Sequence, residues 1–251
     1  MSNAWFQFRQ FLIRQDRSAM KVGTDAVLLG SWAHIRRGGA MAPPVFQGAM
    51  APPALLLDIG TGTGVIALML AQRFPDAHIT ALEIDEEAAK QARGNVEGSA
   101  WADRIEVVQA DFRIWSPDDS SMFDLIICNP PYFTRSLKNP DFLRAKARHD
   151  DDLPLGVLLP KASGLLTPEG KISLILPVER TEEALELAAK CGLFILRRTD
   201  IRGNPGTAIR RVLLEWGREE GPWEADQLIV ETEVRGVYTE EYRRLTGEFY
   251  L

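Results

Sequence analysis

Cysteine and histidine are scarce in this chain of 251 residues. The two cysteines, Cys128 and Cys191, are far apart in the sequence, and the three histidines form no cluster. Metal centres need several such ligands at close spacing, so no metal site is predicted. Two distant cysteines are also typical of a reduced, cytoplasmic protein, in which Cys128 would be an ordinary buried strand residue.

Long apolar runs are absent too. No stretch approaches the ~20 apolar residues of a transmembrane helix, and the amino end has no secretory apolar core. We therefore expect no membrane anchor. Hydrophobic residues make up 45% of the chain and charged residues 25%, which is typical of a globular protein with one large α/β domain. A monomer is expected.

The chain has no overall excess of positive charge, since its formal net charge is −6. This argues against indiscriminate nucleic-acid binding but leaves room for a local basic face. Positive residues cluster near the amino end, after residue 132, and between residues 197 and 211. A single basic cluster is usually only a solvated face. Because this acidic protein has three such clusters, contact with phosphates and a solvated face are weighed equally. The candidates for that contact are Arg17, Arg135, Lys138, Arg144 and Arg148.

Apolar strands alternate with helices from residue 55 onward. Strands are predicted at 55–58, 79–82, 105–109, 123–128, 171–176, 193–201 and 210–216, and helices at 65–74, 86–97, 153–166, 180–191 and 239–250. This alternation predicts a Rossmann-like α/β fold, with a mostly parallel central sheet and helices on both faces.

Three segments are distinguished along the chain. Residues 1–37 are predicted to be an amino-terminal cap of the same domain, with a short helix that begins at an N-cap Thr24 or Asp25 and ends near residue 34. Residues 38–54 contain Gly-Ala-Met-Ala-Pro-Pro twice and are predicted to be a flexible link without a function. Residues 55–251 are predicted to form the main domain.

A glycine loop follows the first predicted strand, with Gly60, Gly62 and Gly64 in the pattern G-x-G-x-G. A dinucleotide-binding loop would have glycine at position 65, where Val65 stands, and the Lys-Ser/Thr ending of a phosphate-binding P-loop is missing. Asp58, just before the glycines, would repel a pyrophosphate but could bind an amine or order the loop. The loop therefore favours a cofactor with an ammonium group.

Acidic residues end the next two strands. Glu83 can accept hydrogen bonds from both hydroxyls of a ribose, and Ile84 would press against an adenine ring. Asp111 can accept a hydrogen bond from the adenine amino group, with Phe112 alongside. One acid at a strand end is often only a helix cap. A glycine loop, a ribose acid and an adenine acid at three successive strand ends together describe S-adenosylmethionine.

The fourth strand ends in Asn129-Pro130-Pro131-Tyr132, which we call the elbow. The prolines end the strand because they cannot donate to a sheet ladder, and the residue before a proline is held extended. Asn129 Oδ1 and the Pro130 carbonyl can each accept one N–H of a planar amino group, while Tyr132 stacks on its ring. These four residues are the predicted catalytic residues, and Asn129 is also expected to contact the cofactor.

These motifs, in this order, resemble those of class I methyltransferases that modify amino nitrogens. More narrowly, the chain resembles the bacterial tRNA1(Val) adenine-N6 methyltransferases, which methylate the adenine 3′ of the anticodon. The resemblance begins at residues 8–11 and 16–25, continues through residues 68–73, 147–148 and 211–214, and ends at residues 249–251. It implies a tRNA substrate and a role for Lys21 and Thr24 at the cofactor site, because the segment 20–25 folds over that site in the family. The repeat within 38–54 departs from the family pattern.

The same planar amino group occurs in other substrates, so alternatives remain. A protein methyltransferase could act on a glutamine amide, and a nucleic-acid enzyme could act on guanine N2 or cytosine N4. The basic clusters favour RNA modestly over protein. A non-catalytic RNA-binding module would be expected to have a broken glycine loop or elbow, and both are intact. Val65 disfavours an NAD-dependent dehydrogenase.

Replacing Tyr132 by alanine is expected to lower kcat/KM for methyl transfer roughly 5- to 150-fold, because stacking of a base on an aromatic ring contributes ~1–3 kcal/mol. Steady-state methylation of tRNA with a tritium-labelled methyl donor measures the effect. Undiminished turnover would contradict the stacking role.

Overall fold

The computed structural model describes residues 3–17, 21–35, 52–117, 121–130 and 153–250. The described strands are β1 (Trp5–Gln7), β2 (Leu12–Arg14), β3 (Ala54–Ile59), β4 (Ala77–Glu83), β5 (Ile105–Gln109), β6 (Phe123–Cys128), β7 (Leu166–Pro177), β8 (Phe194–Arg202), β9 (Ile209–Gly217) and β10 (Glu224–Ile229). The described α-helices are α1 (Thr24–Trp32), α2 (Val65–Arg73), α3 (Glu86–Glu97), α4 (Leu155–Gly164), α5 (Thr181–Lys190) and α6 (Glu240–Thr246).

Eight of these strands form one sheet in the order β10-β8-β9-β7-β6-β3-β4-β5. Neighbouring strands from β5 to β7 are all parallel, as are β8 and β10. Strand β9 is antiparallel to both β7 and β8. The prediction of a mostly parallel α/β sheet is therefore confirmed.

Helices pack on both faces of the sheet because its central strands are apolar on both sides. Strands β3 and β6 are buried along nearly their whole length, as expected for parallel strands between two layers. Residues of α1, α2 and the carboxyl-terminal segment belong to the apolar core on one face. Residues of α4 and α5 belong to the core on the other. This arrangement leaves the strand ends as the exposed edges of the molecule.

The amino-terminal segment forms a hairpin that the sequence did not predict. Strands β1 and β2 pair antiparallel in a separate sheet, with Trp5 opposite Arg14. Three residues are too few for a clear period-two pattern. Strand β10 was also missed, because four of its six residues are exposed and its polar edge sequence has little apolar alternation.

Two predicted helix ends were wrong. The N-cap of α1 is Gly23, not Thr24 or Asp25, and no side chain caps this helix. The closing helix spans only Glu240–Thr246, capped by the Thr239 side chain. The chain then turns, and Phe249 is buried in the core. The division into a cap, a link and a main domain stays a prediction, since within 38–54 only residues 52–54 are described.

A buried charge cluster joins β7, β8 and β9. The carboxylate of Glu215 is buried and accepts hydrogen bonds from Lys171 Nζ at 3.1 Å and Ser173 Oγ at 3.3 Å. Arg197 Nη2 lies 3.4 Å from the same carboxylate. Burial alone would raise the pKa of Glu215, but His34, Arg197 and Lys171 together hold it below its ordinary value. The negative charge therefore contributes stability at neutral pH that is lost on acidification through the lowered pKa.

Replacing Glu215 by glutamine is expected to lower the free energy of unfolding by about 3–5 kcal/mol at pH 7, because the buried Lys171 and the half-buried Arg197 keep their positions without a counter-charge. Urea unfolding measures the change, and the exposed Glu219→Gln serves as the matched control. The difference from the wild type should shrink on acidification through the Glu215 pKa, where the wild-type carboxylate is itself protonated. Equal unfolding midpoints at pH 7 would show that the cluster is not stabilising.

Candidate active site

The predicted motifs meet at one edge of the sheet because β3, β4 and β6 are parallel and in register. Ile59, the last residue of β3, pairs with Leu82 of β4 and with Cys128 of β6. The residues that follow these three positions are Gly60, Glu83 and Asn129. The structure thus brings the start of the glycine loop, the ribose acid and the elbow amide side by side at the carboxyl edge, where open α/β sheets bind their ligands.

The glycine loop depends on backbone conformations that other residues rarely adopt. Gly60, Gly62 and Gly64 have φ angles of 71°, 59° and 82°, in the left-handed region that penalises any Cβ. Among the residues that the structure describes, none has an atom within 4 Å of a Cβ built on Gly60 or Gly62. The left-handed conformation therefore selects glycine at these two positions.

Hydrogen bonds attach this loop to the end of β4. The backbone N–H of Thr61 donates to the Leu82 carbonyl at 2.8 Å. The N–H of Gly62 donates to Glu83 Oε2 at 2.8 Å, and the N–H of Asp85 donates to Glu83 Oε1 at 3.0 Å. Each carboxylate oxygen keeps a further lone pair, so Glu83 can hold the loop and still accept from a ribose. The next residue, Ile84, is 37% exposed, as a contact for a ligand ring requires.

Asp58 lies under the loop and is fully buried. Its Oδ2 accepts a hydrogen bond from Thr61 Oγ1 at 2.6 Å, while Oδ1 has no partner with ordinary hydrogen-bond geometry. Burial raises the pKa of Asp58 to about 7, against the lowering effects of Thr61 and the Ala67 backbone. Of the two predicted roles for this residue, ordering the loop is the one that the contacts display.

Asp111 and Phe112 follow β5 at the same edge, but both side chains have other partners. Both carboxylate oxygens of Asp111 accept from Arg113 Nε, at 3.0 and 2.9 Å. The ring of Phe112 is buried in the core, with Lys161 Nζ 5.5 Å from its centroid. Sequence reasoning missed Arg113, which stands only two residues after the acid it binds. A contact of either side chain with an adenine ring stays a prediction.

The segment before α1 is held by three buried amides that sequence reasoning also missed. Asn95 of α3 accepts from the Arg14 N–H at 2.8 Å and donates to the Arg14 and Thr63 carbonyls, both at 2.9 Å. Gln91, one turn earlier, accepts from the Arg17 N–H at 3.0 Å and donates to Asp16 Oδ1 at 2.8 Å. These bonds fix the amino-terminal chain directly beside the glycine loop.

Gln15 is the third buried amide, and it holds the residues just before α1. Its Oε1 accepts from the Val22 N–H at 2.9 Å. Lys21 Nζ lies 3.5 Å from the Asn3 carbonyl. Thr24 is the first residue of α1, whose amino end is tied to β9 by the ion pair of Asp25 with Arg211 at 2.8 Å. Since β9 begins beside the end of β7, Thr24 reaches the same edge as the glycine loop.

Several predicted site residues lie outside the described residues. These are Pro131, Tyr132, Arg135, Lys138, Arg144 and Arg148. Within the elbow, Asn129 is partly exposed and Pro130 is buried. Across the described ranges, no three His, Cys, Asp or Glu side chains are placed to hold a metal ion, and no helix is both long and apolar enough to cross a membrane.

The chain matches the family model of the methyltransferase small domain over residues 46–187. It is 44% identical over 252 residues to the tRNA1(Val) (adenine(37)-N6)-methyltransferase of Bacteroides thetaiotaomicron, with 100% of this chain and 99% of that protein covered. The protein of the same name from Phocaeicola vulgatus is 45% identical, again with 100% and 99% covered. This chain belongs to the tRNA1(Val) (adenine(37)-N6)-methyltransferase family.

The fold of this methyltransferase is shared with solved structures. A predicted O-methyltransferase from Agrobacterium tumefaciens superposes with a TM-score of 0.65 and 22% identity, over 90% of this chain and 96% of that one. At this identity the likeness concerns the fold alone. The predictions of a class I methyltransferase fold, of this family and of S-adenosylmethionine as cofactor are confirmed.

In this methyltransferase, Asp58 links the stability of the folded state to pH. Its pKa of about 7 lies above the ordinary value of 3.8, so the folded state holds a proton that the unfolded chain releases in this range. Its contribution to the free energy of unfolding is therefore full below pH ~4 and is lost as pH rises through about 7. The loss amounts to a few kcal/mol, on the order of 1.4 kcal/mol per pKa unit.

The Asp58→Asn variant is expected to lack this dependence, since an amide can still accept from Thr61 but does not ionise. Relative to the wild type, it should gain stability between pH 5 and pH 8. Urea unfolding at one-unit pH steps measures the difference, and Asp76→Asn on the exposed loop after α2 is the matched control. A difference that stays constant across this range would mean that Asp58 does not titrate there.

Proposed function

We propose that this chain transfers the methyl group of S-adenosylmethionine to N6 of adenine 37 in tRNA1(Val), the base 3′ of the anticodon. The structural observation that carries this proposal is the register of β3 and β6, which puts Asn129 beside Gly60. An acceptor for an amino group thus stands next to the loop of the methyl donor. The names of the full-length relatives support the choice of tRNA and of adenine.

The residues around the glycine loop fit S-adenosylmethionine. We assign the ribose hydroxyls to Glu83, which has acceptor capacity left, and one face of the adenine ring to the half-exposed Ile84. Asp58 sets the loop conformation from below. Lys21 and Thr24 would close the site from the amino-terminal side. When bound there, the cofactor supplies an electrophilic methyl group on a sulfonium.

The role of the elbow is to make an exocyclic amine nucleophilic. The lone pair of adenine N6 is delocalised into the ring, so the free base attacks a methyl group poorly. Asn129 Oδ1 and the Pro130 carbonyl would accept its two N–H bonds and direct the lone pair at the methyl carbon, which combines positioning with electrostatic stabilisation. With the cofactor bound, a C–N bond would form as its C–S bond breaks, and one N–H proton would then leave to water. No strong base is needed.

Adenine 37 must leave the stack of the anticodon loop to reach this position. Unstacking costs a few kcal/mol, and less where the base is already unpaired. Tyr132 would return part of that energy by stacking on the displaced ring. Asn129 is partly exposed at the carboxyl edge of the sheet, which is consistent with the approach of a displaced base.

Replacing Asn129 by alanine is expected to lower kcat on the order of 100- to 1000-fold, by analogy with the loss of one donor from an oxyanion hole. Transfer of labelled methyl to tRNA1(Val) transcripts measures it, with a transcript carrying guanine at position 37 as the substrate control. Gln227→Ala, on the exposed edge strand β10, is the matched protein control.

The same assay decides the substrate class. Labelled N6-methyladenosine at position 37, found by nucleoside mass spectrometry and absent from the guanine-37 transcript, is the expected product. Wild-type turnover in the Asn129→Ala variant would contradict the role of the elbow. Label in a release-factor glutamine, with none in tRNA, would contradict the substrate.

A further inference from the structure

The hairpin β1–β2 carries an exposed aromatic and basic surface that no motif of the active site uses. Paired residues of an antiparallel hairpin share a face. Trp5 and Arg14 therefore lie on one face, as do Gln7 and Leu12. The opposite face carries Ile13, which is fully buried. Trp5 is 54% exposed and Leu12 39% exposed. We call the outward surface of Trp5, Leu12 and Arg14 the hairpin face.

The charge of this region is opposite to that of the whole chain. Residues 3–17 contain three arginines and one aspartate, a formal charge of +2, whereas the chain carries −6. The aspartate, Asp16, is held by the Gln91 amide. Within the described ranges, neither Arg14 nor Arg17 forms an ion pair. Both arginines are exposed, and no guanidinium hydrogen bond links either of them to another described residue, as phosphate contact requires.

The residues that join β1 to β2 pack against the carboxyl-terminal segment and support the hairpin face. Phe8 is fully buried, stacks on Phe11 at 4.6 Å, and faces the Tyr250 ring at 6.0 Å. The Arg9 N–H donates to the Phe249 carbonyl at 2.9 Å. An aromatic ring on a preformed support loses less conformational freedom when a ligand stacks on it. An exposed tryptophan on a fixed strand is therefore suited to binding a planar partner.

The hairpin face is also coupled to the site of methyl transfer. Asn95 bonds at once to the Arg14 backbone and to the Thr63 carbonyl of the glycine loop. One side chain therefore separates the strand of Arg14 from the cofactor loop. From the hairpin the chain continues through Arg17 to α1, whose amino end reaches the carboxyl edge through Asp25 and Arg211. The hairpin and the elbow thus both adjoin the glycine loop.

We propose that the hairpin face is a second contact site for the tRNA, where Trp5 stacks on an unpaired base and Arg14 and Arg17 contact phosphates. Stacking platforms combined with basic grooves are the usual means of holding single-stranded RNA. This proposal rests on the proposed function. It adds a binding site outside the catalytic residues, which anchors the RNA while adenine 37 is displaced.

The test is the affinity of the full-length protein, saturated with S-adenosylhomocysteine, for labelled tRNA1(Val) by fluorescence anisotropy. Trp5→Ala is expected to raise the Kd roughly 5- to 150-fold, and Trp5→Phe to recover most of the loss. Arg14→Ala is expected to weaken binding and to reduce the slope of log Kd against log salt by about one. The KM for tRNA should rise while kcat and cofactor affinity stay unchanged.

Matched controls lie on the opposite edge of the sheet. Trp223 is 50% exposed just before β10, and Lys190 is exposed at the end of α5. Alanine at either position should leave tRNA affinity unchanged. The side chain of Arg14 is exposed and only its backbone bonds to Asn95, so Arg14→Ala tests the site even where Trp5→Ala is unstable.

Wild-type affinity in both Trp5→Ala and Arg14→Ala, with methylation of tRNA intact, would overturn the hairpin site and leave the proposed function standing. A wild-type protein that neither binds nor methylates this tRNA would overturn both. A dimer that Trp5→Ala converts to monomers in sedimentation would assign the face to a second copy of the chain and contradict RNA contact.

Discussion

The active edge depends on the attachment of the glycine loop to the end of β4. Three glycines in left-handed conformations would be a mobile loop if nothing held them. The Glu83 carboxylate accepts from Gly62, and the buried Asp58 accepts from Thr61. Both acceptors are charged or buried, and hydrogen bonds of this kind are stronger than exposed neutral ones. The conformation that a ligand needs is therefore built before the ligand arrives.

Strand β9 runs antiparallel to β7 and β8, and this brings its first residues to the same edge. In a purely parallel sheet every strand runs toward the carboxyl edge, and the chain leaves that edge through a crossover connection, usually a helix. Because β9 runs opposite to β7, its first residues lie beside the end of β7, and Arg211 meets Asp25 there. The carboxyl-terminal half of the fold thus anchors the first helix of the chain. That helix in turn places Thr24 at the carboxyl edge of the sheet.

Elements with buried apolar patterns were predictable from the sequence, and exposed or very short ones were not. The run Phe123–Cys128 and the acid Glu83 lie where the strand pattern put them, because parallel strands have few alternatives. Strand β10 and the hairpin were missed because their residues are few or exposed. The partners of Asn95 lie 81 and 32 residues away. No local period encodes such a contact, since only the finished fold brings these residues together.

The amino-terminal segment is attached by neutral amides where ion pairs would also have been available. Gln15 and Asn95 bond to backbone groups, and Gln91 bonds to the Arg17 backbone and the Asp16 carboxylate, so none of these bonds uses an arginine side chain. An ion pair would have used the guanidinium of Arg14 or Arg17 and would weaken with salt. Amides satisfy the buried backbone and leave both cations at the surface. In a chain of net charge −6, cations that stay at the surface in one place are what the proposed tRNA contact at the hairpin face requires.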